Sequence, residues 1–304
     1  MSIHEACDVL RLVVQHQPVE GGSSTGLSVN HAGLLRRLLT LFDARHLTMT
    51  ALHVDADTAH RLGLAAAHLQ MYDWAEGALG VAYQLSPGHA SVLEGLEHIA
   101  RLRGDDALLR HWMEARMKLT PDDPALLRAH AHLLASLGDE EAERAVRRLE
   151  ALGVDTAADR SLLSGLRARA GARTEAIEAI LQALEEDPSR SGDWLHYAQL
   201  LEAEGEHELA LEANERCLTL DRQCGEAWAL KARLLAEKNG HQRDALKAAT
   251  HAVALEAGGV DGIFLKAELL EIEGSVVAAE ETLLKALNAQ PHNGELRARI
   301  AGKY

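Results

Sequence analysis

Aromatic side chains are scarce in this 304-residue chain: two Phe, four Tyr and four Trp, 3% in all. Proline is nearly as rare, at 6 residues. A chain so poor in aromatic and β-branched material, and so rich in Ala, Leu, Glu and Arg, favours helix over a β-sandwich or barrel. Cationic excess is also missing, because 31 Lys and Arg face 46 Asp and Glu for a net charge of −15. Divided at residue 123, the two parts carry 10 basic against 15 acidic and 21 against 31. No basic domain hides behind an acidic one, which argues against a generic nucleic-acid or anionic-membrane role. No long apolar run exists, so membrane insertion is not expected. The opening stretch from Ser2 to Gln17 carries His4, Glu5 and Asp8 where a secretory leader would be basic. Cys7, Cys217 and Cys224 are an odd number without CxxC spacing, and read as free thiols in a reducing cytoplasm. All seven Lys lie at or beyond Lys118, while Arg and Ala occur throughout, a usage that points to a high-GC bacterial genome.

What is present is repetition. A small residue or Gly, five positions to an Ala, an apolar pair, then an acidic, amide or hydroxyl residue before Pro: this phrase recurs along the chain. Ser86-Pro87, Thr120-Pro121, Asp187-Pro188 and Gln290-Pro291 close successive units, and the first two prolines stand 34 apart. Gly171 to Ala176, Gly205 to Ala210 and Gly274 to Ala279 repeat the five-residue step, and Trp194 and Trp228 are again 34 apart. In one unit Trp194, Tyr197, Ala198 and Leu201 fall at i, i+3, i+4 and i+7, one stripe of a first helix. Gly205 closes that helix, and Ala210, Leu211, Cys217 and Leu218 supply the apolar face of a second. Ala198 and Gly63 are small where two helix backbones are to approach closely.

Over residues 56–293 these features resemble the tetratricopeptide repeat family. The resemblance implies an all-α, right-handed superhelical solenoid of about seven helical hairpins, 56–89, 90–123, 124–156, 157–190, 191–224, 225–259 and 260–293. No single hairpin can bury both of its apolar faces, so neighbours must stack. Residues 294–304 open another first helix and read as a partial cap. Residues 1–55 form a non-repeat extension: a helix with the stripe Ile3, Cys7, Leu10 and Val14, a Gly/Ser linker from Glu20 to Ser28, and a second helix from His31 to His46. The first stripe offers a route to self-association.

Candidate chemistry is sparse. Twelve of the 17 His lie within the first 132 residues. No pair is spaced i, i+4 as helix-borne zinc ligands usually are. His130 and His132 are two apart and belong on different helix faces, and both the set His53, Asp57, His60 and the set His4, Cys7, Asp8 read better as solvated surface. GxSxG, HExxH, a phosphate-binding GxxxxGK[ST] loop and GxGxxG after a strand are absent, and Gly21-Gly22 with Ser23-Ser24 precedes no Lys. No cofactor, metal or catalytic residue is expected.

The family resemblance implies instead that a partner protein or peptide docks on the first helices, which line a concave groove. Its register selects His60, Leu64, His68, Glu94, His98, Arg101, Arg128 and His132 in the first three units. In the last three it selects Leu195, Gln199, Glu202, Arg233, Phe264, Glu268 and Glu271. Leu195 and Phe264, apolar where solvent is expected, stand out as contact anchors, and the His- and Arg-rich first half suits an acidic segment. The family's clamp for chaperone C-termini uses Lys and Asn where this chain holds His60, Leu64, Glu94 and His98, which argues against a chaperone-tail adaptor. The expectation is therefore a cytoplasmic, non-enzymatic scaffold or assembly factor. Two alternatives are an accessory module of a glycosyl- or sulfo-transfer enzyme and a His-based metal protein.

Overall fold

A computed structural model describes residues 29–44, 54–238 and 240–303. The stripe Ile3, Cys7, Leu10, Val14, the Gly/Ser linker and His53 lie outside the described residues. Those that are described form sixteen α-helices and no strand. No described helix is long and apolar enough to cross a membrane.

The first helix, α1 (Val29–Ala44), precedes a series in which α2 (Ala56–His68), α4 (Ala90–Arg103), α6 (Pro124–Ser136), α8 (Ala157–Arg169), α10 (Ser191–Glu204), α12 (Gly225–Ala236) and α14 (Gly259–Ile272) begin 33 or 34 residues apart. Between them run α3 (Tyr72–Leu85), α5 (Asp106–Met117), α7 (Glu141–Ala151), α9 (Arg173–Glu186), α11 (His207–Leu220), α13 (Gln242–Ala254) and α15 (Val276–Ala289), and α16 (Gly294–Lys303) follows. Within each unit most helices adjacent in the chain pack on each other, and several first helices touch the next first helix, as α2 meets α4, α10 meets α12 and α12 meets α14.

Local chemistry sets the boundaries. Asp55 caps α2, its carboxylate accepting from the Thr58 amide at 3.0 Å and the Thr58 hydroxyl at 2.8 Å. Asp123 does the same for α6, whose first residue is Pro124, where the missing N–H is no loss. Gly104 and Gly205 close α4 and α10 in the left-handed conformation. Trp194 and Trp228, 34 residues apart, each donate Nε1–H at 2.9 Å to a carbonyl six residues back, those of Pro188 and Arg222. These two units thus carry their own brace for the turn before the first helix.

The chain divides into two compact units, residues 1–148 and 149–304. In the first, α1 covers the opening hairpin. Leu35, Leu39 and Phe42 are buried against Leu62, Trp74 and Leu79, and Trp74 Nε1–H donates to Asp43 at 2.7 Å. Here the small residue in α2 is obligatory: a Cβ on Gly63 would lie 2.5 Å from Leu79 Cγ and 3.2 Å from the Ala75 carbonyl. In the second unit the same register position holds Ser164, whose hydroxyl donates to the Ala176 carbonyl at 2.7 Å, and Ala198, fully buried. Buried Asn214 donates from α11 to the Ala227 carbonyl of α12 at 2.9 Å, tying one hairpin to the next. Its cores are built from Ala, Leu and Cys217, with Leu195, Leu201, Leu218 and Leu230 in one cluster and Phe264, Leu283 and Leu296 in another. Each fully buried Leu or Phe contributes about 1.5–3 kcal/mol.

Candidate partner-binding face

The first helices do not present one continuous stripe to solvent. In the first unit His68, Glu94, His98, Arg101 and His132 are exposed, whereas Leu64 and Arg128 are half-buried. His60 corrects the expectation, being 6% exposed. The next hairpin covers it: His89 stands 5.5 Å away ring to ring, and the Ser91 hydroxyl is 3.4 Å from His60 Nε2. Burial first, then proximity to His89, holds the His60 imidazole below its ordinary pKa, so it packs as the neutral form. Glu94 is partly engaged as well, 3.4 Å from Arg116 on α5.

Arg116 also serves a group that the repeat register does not pick out. Glu97, 5% exposed, meets Arg116 at 3.3 Å through Oε2, while its Oε1 has no hydrogen-bond partner. Burial raises its pKa in spite of Arg116 and Arg101. Glu97 occupies an inward position of α4, one turn from Glu94, and its apolar neighbours Leu93 and Leu96 are the only sequence signal for it. His130 and His132 do fall on different sides of α6, the first 6% exposed and the second exposed. His130 is likewise held below the usual histidine range by burial. Among the described residues no group of three His, Cys, Asp or Glu side chains could hold a metal ion.

In the second unit Gln199, Arg233 and Glu268 are exposed and Glu202 and Glu271 half-buried. Leu195 and Phe264 are the other two corrections. They are 7% and 4% exposed, and each belongs to a hydrophobic core. The reason is shared with His60: each is covered from the next first-position helix, α4 for His60, α12 for Leu195 and α16 for Phe264. Arg299 of α16 lies over the Phe264 ring, 4.5 Å from its centre. Neither apolar residue is therefore a free contact anchor.

Phe264, Arg233 and Glu268 nonetheless converge. They line a cavity of about 460 Å³ with Asp261 and Leu265 of α14, Ala229 and Ala232 of α12, Ala249 and Ala252 of α13, and Arg299. The cavity exists because its floor is alanine where longer side chains would fill it. Gly258 brings the turn before α14 in close: its φ is +81°, and a Cβ there would lie 3.3 Å from Ala229 Cβ and from the Gly262 backbone. Both arginines at the rim are already matched. Arg233 reaches Glu202 with Nε at 3.1 Å and Nη2 at 2.9 Å, and Arg299 pairs with Asp261 and stands 3.9 Å from Glu295. Asp261 and Arg299 were not visible as site residues in the sequence, since one starts its helix and the other lies beyond the last hairpin.

No family model and no curated protein matches the chain. Solved structures do. A chain of the APC/C hetero-tetramer Cut9–Hcn1 superposes with a TM-score of 0.54 at 12% identity, over 89% of this chain and 51% of that one. A MamA protein does so with a TM-score of 0.50 at 17% identity, over 55% of this chain and 91% of that one. A MamA double mutant gives 0.51 at 15% identity, over 55% and 94%. These likenesses are in fold, and with the helix pairing they establish what the recurring sequence phrase implied: the chain has the helical solenoid fold of the tetratricopeptide-repeat proteins.

Proposed function

We propose that this protein is a non-enzymatic interaction scaffold that holds a peptide segment or partner domain along its first helices. In this reading residues 56–293 are seven hairpins of a right-handed superhelix, residues 1–55 are a non-repeat extension, and 294–304 are a partial cap. One observation carries the proposal: a cavity floored by alanines of α12 and α13 with a charged rim on α12, α14 and α16. Such a cavity seats one anchoring side chain, while exposed Gln199 on the neighbouring first helix α10 extends the contact. The Cut9–Hcn1 structure, a hetero-tetramer that contains this fold, supports the same reading.

The test is site-specific photocrosslinking in the native host. A benzophenone amino acid replaces Gln199, Glu271 or, as a control on a second helix, Glu281. Adducts with one partner from positions 199 and 271, and none from 281, are expected. Adducts confined to 281 would move the partner to the second helices and end this reading.

A further inference from the structure

We infer that the α12–α14–α16 cavity is a receptor for a cationic side chain, an arginine or lysine of the partner, with Glu268 as its counter-charge. The inference rests on the scaffold reading and adds the chemistry of what is bound. The sequence suggested an acidic partner from the histidines and arginines of the first unit. At the cavity, the charges point the other way.

Arg233 is the cation an acidic ligand would need, and Glu202 already holds it with a two-pronged contact. Arg299 is the other, and its guanidinium lies over Phe264 with Asp261 and Glu295 at hand. An incoming carboxylate must displace one of these internal carboxylates and meets the rest at short range. Glu268 is different. It is exposed at the cavity edge, two turns after Asp261 along α14, and no cation among the described residues is paired with it. The charged groups at this site are thus two matched arginines, their carboxylates, and one carboxylate left over. The alanine floor suits the methylene stem of a long cationic side chain, which lies along apolar surface while its charged head stays at a wet rim. The net charge of −15 attracts a basic segment at long range as well, an effect that salt weakens.

A randomised heptapeptide library displayed on phage is selected against the full chain, and the selected peptides, synthesised with blocked ends, are the probes. The selected peptides should share one Arg or Lys. Replacing that residue with Ala should weaken binding about tenfold, and Glu268→Gln should do the same. The two changes together should cost little more than either, because they break one contact. Glu268→Asp should restore part of the affinity, and raising NaCl from 50 to 500 mM should lower it. Because Glu268 is exposed, circular dichroism of both variants should match the parent.

Selected peptides that lack a basic residue, carry Asp or Glu instead, or bind the Glu268→Gln variant as tightly as the parent would overturn the inference. A selection that yields no peptide would overturn it too. The crosslinking adducts at positions 199 and 271, which leave Glu268 in place, report separately on the scaffold reading. They persist if the partner binds there by chemistry other than a basic anchor.

Discussion

The two compact units use one register differently. In the first, titratable groups are taken into the packing: His60, Glu97 and His130 are buried, and Glu97 Oε1 and His130 Nε2 have no hydrogen-bond partner. In the second, the buried carboxylates are hydrogen-bonded: Thr156 holds Asp159 at 2.9 Å within one turn, and Ser161 of α8 holds Asp193 of α10 at 2.7 Å. Exposed charge in that unit gathers at the rim of the alanine-floored cavity. Equivalent positions therefore do not share an environment. The fifth residue of the first helix is a buried histidine in α2, an exposed carboxylate in α4 and a core leucine in α10. Repeat position sets which neighbour a side chain faces; the size of that neighbour sets whether water reaches it.

The largest expected effect breaks the comparison at its tightest point. Gly63→Val should destabilise the first unit by roughly 1–3 kcal/mol, the usual cost of overpacking, because its side chain collides with Leu79 and the Ala75 carbonyl. Gly165→Ala, one residue beyond the equivalent position in α8, meets nothing within 4 Å and should stabilise its helix by up to about 1 kcal/mol. Denaturant melts of both variants check this. Equal effects would mean that the helix approach at Gly63 is no tighter than the open side of α8 at Gly165.

Next in size is the response to acid. Burial holds His60, His130 and His196 below the unfolded value, so the unfolded chain takes up protons first as pH falls. Stability should be retained above about pH 6.5 and lost as pH drops from there through the depressed folded values. Two of these histidines are in the first unit. His130→Leu should flatten this acid limb, and an unaltered limb would show that His130 is accessible to protons in the fold. Glu97 acts with the opposite sign. Its raised pKa means stability present at low pH and lost as pH rises through the folded value. Glu97→Gln should accordingly raise the melting temperature at pH 7.5, with the gain vanishing near pH 4.

How much of this was legible in the sequence follows from what repetition encodes. Gly205, the Trp194–Trp228 interval and the Ser/Asp-Pro closures act through the local backbone, and the helices start and stop with them. Exposure on the first helices was not legible, because it depends on contacts between hairpins. His60 is covered by His89 and Ser91, and Phe264 by Arg299, which are 29, 31 and 35 residues away in sequence. The charge balance at the cavity rim was not legible for the same reason. Counting arginines in a stripe shows how many cations are present, whereas the Glu202–Arg233 contact shows that one of them is already neutralised.

A smaller effect should separate the units functionally. Replacing Arg101 and Arg128 of the first unit together by Glu should leave the affinity of Glu268-anchored peptides within about twofold. Neither arginine lines the cavity, and a charge outside the contact adds only a salt-screened attraction for a basic peptide when Arg becomes Glu. A tenfold change in fluorescence-polarisation affinity would place the peptide on α4 and α6 as well, and the acidic-partner expectation for that face would return.

The smallest effect concerns thiol chemistry and should leave stability untouched. Cys217, on α11, is fully buried, whereas Cys224, at the start of α12, is half-buried and packs against the same cluster. Burial above all, with the neighbouring Cys224 thiol adding to it, pushes the Cys217 thiol up to about 12. Only the thiolate reacts with an alkylating agent, so at pH 7.5 this thiol should be at least roughly a hundredfold less reactive than an ordinary cysteine, before its inaccessibility is counted. Brief treatment of the folded protein with iodoacetamide should therefore label Cys224 and spare Cys217, while the same treatment in denaturant labels both. Peptide mass spectrometry reads the ratio directly. Equal labelling in the folded state would require α11 and α12 to part faster than alkylation. That joint, braced by Asn214 and by Trp228 on the Arg222 carbonyl, would then be the weak point of the second unit, in place of the well-packed seam its hydrogen bonds describe.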